Sequence, residues 1–331
     1  MNLHANNQEI DVRVSTIPTV NGESISLRLL SRGEQQFGFE RLDLSKKQEE
    51  IIRHLLAQPN GIILLTGPTG CGKSTSLYCF LSSINFVQRR IITIEDPVEY
   101  RLPGVLQIDV KPEIDLTFAK GLRHILRQDP NVVMVGEIRD IETADITIRA
   151  AMTGHLVFST LHTNDAVGGI TRLLDMDVEP FLLASVVKSF IAQRLVRTIC
   201  RECSERVEYP PDYLAEIGFP VKELGTNCLR GRGCEQCRHT GYQGRTAIYE
   251  ICVVTEPLRK MIMQKRDGGE LKQCAIAEGM ETLRQDGWRR VGQGKTTIEE
   301  VVRVTQTDEV MAETEVQSAP ALMGEAPVML S

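Results

Sequence analysis

No stretch of the chain reaches eighteen consecutive apolar residues. The closest, Val186–Val196, is interrupted by Lys188, Gln193 and Arg194, so no membrane-spanning helix is expected. The opening residues, MNLHANNQEIDVRV, hold no apolar core of the kind a secretory signal needs. An excess of positive charge is missing too: 38 lysines and arginines face 44 aspartates and glutamates, a net charge of −6. Basic runs interleaved with aromatic side chains are also absent, which argues against a polynucleotide-binding protein or nucleic-acid motor. Apolar residues make up 42% and charged residues 25% of the 331 positions. These values exclude wholesale disorder and collagen-like repeats, and the length allows two or three domains. Nine cysteines without a secretory signal favour metal ligands and free thiols over a disulfide framework.

Residues 10–30 alternate apolar and polar side chains in two runs, predicting a β-hairpin whose loop contains Pro18 and Asn21-Gly22. Arg13 and Arg28 fall opposite their strands' apolar rows, which by pattern alone is a solvated sheet face. From Leu42 onward the pattern is α/β. A helix with Ser45 as N-cap is expected from Lys46 to Gln58. Four short apolar runs follow, at Gly61–Thr66, Arg90–Ile94, Asn131–Val135 and His155–Thr160. With helices between them, they predict a largely parallel sheet covered on both faces. A helix is expected over Pro180–Arg197, and the chain reads as helical beyond Tyr249. There the expected helices are Pro257–Lys265, Glu270–Glu278, Glu281–Val291 and Ile298–Thr305, the last with Thr297 and Glu300 as a capping box. Residues Asp308–Ser331 carry five acids and no base and read as a disordered tail.

Gly67-Pro68-Thr69-Gly70-Cys71-Gly72-Lys73-Ser74 fits the phosphate-loop pattern without a mismatch, between a strand and the helix that Thr75 continues. Glycines let backbone N–H groups wrap a phosphate at a helix N-terminus. Lys73 is expected to reach the β- and γ-phosphates of ATP, and Ser74 to ligate Mg²⁺. Cys71 reads as a small residue that fits, in preference to a reactive thiolate. Ligands of open α/β sheets sit beyond the carboxyl ends of the strands, so the residues after each apolar run are candidates. They are Glu95 and Glu99 after one run, Glu137 after the next, and His162 after the third. Glu137 is assigned to water and Mg²⁺ positioning, and Glu95 to a base or its partner. His155 and His162 read equally well as γ-phosphate sensors or as ordinary hydrogen-bonded histidines. Cys200-x-x-Cys203 and Cys234-x-x-Cys237, thirty residues apart, supply four thiolates suited to tetrahedral Zn²⁺. Arginines near them (Arg197, Arg201, Arg206, Arg232, Arg238) would balance the negative charge of such a site.

GPTGCGKSTSLY, TIEDPVEY, LRHILRQDPNVVMVGEIRD, TGHLVFSTLHTNDA and the paired CxxC motifs followed by GYQGR resemble the assembly ATPases of type II secretion and type IV pili. The resemblance runs from about Glu9 to Thr307. It implies a RecA-like core, with TIEDPVE as the aspartate box, GEIRD as Walker B and TGHLVFSTLHT as the histidine box. Roles follow for Glu95, Glu99, Glu137, His155 and His162. It also implies that Arg13 and Arg28 swing onto the nucleotide phosphates, reversing the reading from pattern alone. The four cysteines resemble the zinc module of the secretion and extension members. The implied layout is a remnant of a PAS-like N-terminal domain (1–41), a RecA-like P-loop core (42–199), a tetracysteine module (200–245), a helical subdomain (246–307) and the acidic tail (308–331). Members of this family are longer at the N-terminus, where a first domain docks to the membrane platform. The resemblance further implies a homohexamer, cytoplasmic and peripheral to the inner membrane. Its expected partners are an inner-membrane platform protein and the cytoplasmic domain of a membrane-anchored secretion component. Type II secretion is favoured over pilus extension by GMETLRQDGWRRV and TTIEEVVRVTQTD. An inactive nucleotide-binding scaffold is the further alternative.

Overall fold

The computed structural model describes residues 2–5, 8–31, 37–84, 87–226 and 228–305. The acidic tail therefore lies outside the described residues. A three-stranded antiparallel sheet comes first, with β1 (Asn2–Ala5), β2 (Gln8–Thr19) and β3 (Gly22–Ser31) in that order. The expected hairpin is present, but its loop is shorter. Pro18 lies within the ladder opposite Glu23, and only Val20 and Asn21 separate the paired Thr19 and Gly22. Gly22 takes a φ of 116°, which a side chain would resist.

The chain then alternates helix and strand. Helix α1 (Lys46–Leu56) begins at a capping box in which Ser45 and Gln48 exchange side-chain bonds. Strand β4 (Gly61–Thr66) leads into α2 (Lys73–Ser83), followed by β5 (Ile91–Glu95), β6 (Val105–Asp109), α3 (Phe118–Ile125), β7 (Val132–Val135), α4 (Ile141–Met152) and β8 (Leu156–Leu161). Helices α5 (Gly168–Asp175) and α6 (Pro180–Val186) precede β9 (Val187–Ile199). The expected helix over Pro180–Arg197 thus stops after two turns and becomes a strand. Residues 189–194 are buried without a break, because β9 sits inside the sheet, beside β4. Such a run has no amphipathic period to distinguish strand from helix.

After β9 come β10 (Ser204–Val207), α7 (Pro211–Glu216), α8 (Val221–Leu224), β11 (Cys228–Gly231) and β12 (Tyr242–Val253). The chain beyond Tyr249 is therefore strand first, with helices starting only at α9 (Glu256–Met263), then α10 (Gly268–Ala277), α11 (Leu283–Gly292) and α12 (Ile298–Thr305). The main sheet has the order β12-β9-β4-β8-β7-β5-β6, and every ladder from β9 to β6 is parallel. Strands β4, β5, β7 and β8 are buried along their whole length, as expected of a sheet covered on both faces.

The described chain forms two compact units. The first holds residues up to Gln193 together with Tyr249–Glu281; the second holds Arg194–Ile248 and the residues from Thr282 on. The segment expected as one helical subdomain is divided between them, α9 and α10 to the first and α11 and α12 to the second. The second unit has its own core of Leu214, Phe219, Cys228, Trp288, Val291, Ile298 and Val301, with Phe219 and Trp288 edge to face at 5.4 Å.

Candidate nucleotide site and tetracysteine cluster

The carboxyl ends of β4, β5, β7 and β8 lie side by side in the parallel sheet, so the residues that leave them share one rim. At β4 the chain turns through Gly67, Gly70 and Gly72, whose φ values of 144°, 80° and 94° suit glycine. Gly72 is the residue before α2, so the loop delivers backbone N–H groups to a helix N-terminus. Lys73 is buried, and its Nζ donates to the carbonyls of Gly67 at 2.6 Å and Pro68 at 3.1 Å. These are oxygens that phosphate oxygens would replace. Pro68, Thr69, Gly70 and Ser74 are exposed and Thr75 half-buried, while Cys71 is buried within the loop. That burial suits a space-filling thiol.

The rest of the rim divides its acids into two kinds. Glu95, the last residue of β5, is 5% exposed, and both carboxylate oxygens accept hydrogen bonds from within the fold. Oε1 accepts from Thr93 Oγ1 at 2.6 Å and Gln107 Nε2 at 3.1 Å, and Oε2 accepts from the Tyr78 hydroxyl. Burial pushes its carboxyl above the usual range, against the pull of those three donors. Tyr78 comes from α2, and its hydroxyl also accepts the Glu99 N–H at 3.2 Å; burial and Glu95 raise the phenol. Glu137 behaves differently. It leaves β7 with 12% of its side chain exposed, Arg139 bonds its Oε1 at 2.6 Å, and His162 Nε2 lies 3.3 Å from its Oε2. The ends of β7 and β8 are stitched together beneath this pair. Thr160 Oγ1 donates to Gly136 O at 2.9 Å and the Ile138 N–H to Thr160 O at 3.1 Å.

His155 does not join the others. It precedes β8 whereas His162 follows it, which puts the two about 20 Å apart at strand rise. Its Nδ1 lies 2.8 Å from Ala150 O at the end of α4, an ordinary structural contact. Arg13 and Arg28 are direct cross-strand partners in β2 and β3, but their side chains are outside the described part, and with them the expected swing onto phosphate. Sequence reading missed Tyr78, Thr93, Gln107 and Arg139. Arg139 and Thr93 had a local signal, each two residues from the acid it bonds, whereas Gln107 reaches Glu95 through the β5–β6 register, in which it faces Thr93.

In the second unit Cys200, Cys203, Cys234 and Cys237 bring four sulfurs within 4.8 Å of one another. The separations Cys200–Cys234 and Cys203–Cys237 are each 3.9 Å, and Cys234–Cys237 is 3.7 Å. A tetrahedron with Zn–S bonds of about 2.3 Å has edges of about 3.8 Å. Backbone N–H groups aim at the sulfurs: Gly233 at Cys203, and Cys234 and Gly241 at Cys237. Those two N–H groups pull the Cys237 thiol down to about 6. The backbones of Gly231 and Gly241 approach so closely that a Cβ on either would collide. The donor set and its spacing fit Zn²⁺. Arg197, expected to balance this charge, instead bonds Glu300 at 2.6 Å and stacks over Tyr242 at 4.1 Å.

Comparison with known proteins gives the same picture. The family described as "Type II/IV secretion system protein" matches residues 1–303. The type II secretion system protein E of Aeromonas hydrophila is 48% identical over 309 residues, 93% of this chain and 61% of that protein. The one from Pseudomonas aeruginosa is 46% identical over 308 residues, with the same two shares. The type IV pilus assembly ATPase PilB of Thermus thermophilus is 45% identical over 298 residues, 90% of this chain and 34% of PilB. Among solved structures, the pilus retraction motor PilT with bound ADP aligns with a TM-score of 0.66 and 28% identity, over 95% of this chain and 79% of that one. The Legionella pneumophila ATPase DotB aligns with a TM-score of 0.66 at 21% identity, over 95% and 76%, a likeness of fold. The chain spans about three-fifths of the length of the secretion proteins it matches. A phosphate loop and an acid–histidine pair on one sheet rim, the RecA-like architecture of these relatives, and a family match over nearly the whole chain make this protein a member of the type II/IV secretion system protein family.

Proposed function

We propose that this chain hydrolyses ATP and that the protein it belongs to powers type II protein secretion by driving pseudopilus assembly. The observation that carries this reading is the Glu137–His162 pair, 3.3 Å apart on the rim that also bears the phosphate loop. Gly67–Thr75 would cradle the phosphates, with Lys73 exchanging loop carbonyls for β- and γ-oxygens. Ser74, exposed at the start of α2, and Glu137 are the donors suited to Mg²⁺, which supplies charge neutralisation on those oxygens when bound. Glu137 orients the attacking water and His162 faces the γ-phosphate. Glu95 keeps its oxygens turned inward and supports the rim, and Glu99 is positioned through Tyr78. Arg13 and Arg28 would reach the phosphates from the N-terminal sheet, and the four cysteines would hold a structural Zn²⁺.

As in the family, hydrolysis would run at the subunit interfaces of a homohexamer. The ring would sit in the cytoplasm against the inner membrane, engaged with a platform protein and the cytoplasmic domain of a membrane-anchored component. Among the described residues no helix is long and apolar enough to cross a membrane. The 45% identity to PilB favours pilus extension as the second reading. Turnover of ATP by the wild type beside Lys73→Ala and Glu137→Ala tests the enzyme. Loss in both variants supports it, and equal rates in all three overturn it. Restored export in a strain lacking its own secretion ATPase separates secretion from pilus extension.

A further inference from the structure

The loop that follows β8 carries His162 and is tied down by five contacts of one short stretch, residues 165–166. Asp165 Oδ1 accepts the Gly168 N–H at 2.7 Å, setting the turn into α5. The Asp165 carbonyl accepts Thr66 Oγ1 at 3.1 Å and Thr163 Oγ1 at 2.9 Å. Glu250 of β12, fully buried, accepts the Ala166 N–H at 2.8 Å. Asp165 Oδ2 accepts Lys272 Nζ at 3.0 Å, with the two side chains only 20% and 27% exposed. Thr66 is the last residue of β4, and the next residue, Gly67, donates its N–H to Leu161 O at 3.3 Å. One acid is therefore fastened both to the entrance of the phosphate loop and, through Lys272, to helix α10, which lies more than a hundred residues further along the chain. A half-shielded ion pair of this kind is worth more than a solvated surface pair, and the buried Glu250 beside it keeps the loop from drifting.

We propose that the Asp165–Lys272 pair is a positioning device for the hydrolytic site, in which α10 holds the Asp165 loop so that His162 meets Glu137. Lys272 touches no reacting atom; it acts through the loop. The inference rests on the reading of Glu137 and His162 as the hydrolytic pair. It also gives α10 a direct mechanical line to the residue facing the γ-phosphate.

The test uses the full chain. In Lys272→Met the stem is kept and the charge removed, and kcat for ATP is expected to fall about tenfold. KM for MgATP and the affinity for a fluorescent ADP analogue are expected to stay unchanged, because the phosphate loop keeps its own contacts. Lys272→Arg restores the rate. In ¹⁵N-histidine spectra, the imidazole signal lost in His162→Ala is expected to shift in Lys272→Met, while that of His155 stays in place. Asp165→Asn, which keeps an acceptor for Gly168 but loses the charge, provides the same readouts should Lys272→Met lower the melting temperature. An unmoved His162 signal, or a loss of rate that appears wholly in KM, overturns the proposal. A wild-type chain that turns over no ATP strikes the reading of the site; an active wild type matched by Lys272→Met strikes the ion pair alone.

Discussion

Tyr78 shows how much one hydroxyl can organise. It donates to Glu95 and accepts from the Glu99 N–H, so it joins the phosphate-loop helix to the last residue of β5 and to the backbone four residues beyond it. Tyr78→Phe keeps the ring and takes from the buried Glu95 Oε2 the donor it accepts from. A loss of about 1–3 kcal/mol in denaturant unfolding is the expected result; unchanged stability would mean that the bridge is absent in solution. The two histidines differ just as sharply. His162→Ala should lower ATP turnover by at least about tenfold, whereas His155→Ala should stay within about twofold, since its ring meets Ala150 at the other end of β8. Comparable losses in both would contradict this separation. In sequence the two residues look alike, flanking one apolar run; strand direction tells them apart, because only residues after a strand reach the ligand rim.

Among the elements, α12 is fastened to β9 through Glu300. This carboxylate, 2% exposed, accepts the Arg197 N–H at 3.0 Å, the Arg197 guanidinium at 2.6 Å and the Arg303 guanidinium at 2.9 Å. Its own N–H donates to Thr297 Oγ1 at 3.3 Å, so half of the expected capping box is in place while the glutamate side chain serves the strand. Burial alone would raise the Glu300 carboxyl, but the two arginines hold it down to about 2, below the ordinary 4.5. The sign follows directly: the contribution is complete above about pH 4.5 and fades as the pH falls toward 2. Glu300→Gln should therefore destabilise the second unit by about 2 kcal/mol at pH 7 and by about half that or less at pH 3. Thermal melts at the two values check this, and an equal loss at both would refute it. Strand β9 itself was not legible in the sequence. Buried on both sides, Ser189–Arg194 offers neither a period of two nor one of 3.6, whereas α1 announced itself through Ser45 and the amphipathic run after it.

For the whole molecule, what is local in sequence was readable and what depends on distant register was not. The phosphate loop, its flanking strand and helix, and the two CxxC pairs lie within short segments whose residue types dictate their chemistry. The partners of Glu95 depend on β6 aligning with β5, and the division of the helices between two units depends on β12 joining the large sheet. That division carries a prediction. Stripping Zn²⁺ with a strong chelator should lower the melting of the second unit by several degrees while leaving nucleotide affinity in the first within about twofold. Inductively coupled plasma analysis should find about one zinc per chain before treatment. A metal-free chain of undiminished stability would remove zinc from its architecture.

The path of β9 and β12 has a consequence for biogenesis. The chain leaves the nucleotide-binding unit along β9, builds the cysteine cluster, and returns along β12 before α9 and α10 are made. On a ribosome that adds residues one at a time, the phosphate loop emerges early but its sheet lacks an edge strand until residue 253 has been synthesised. The emerging polypeptide must therefore shelter an unfinished apolar sheet throughout the cysteine excursion, and a nascent chain stalled before that point would be a natural client for chaperones.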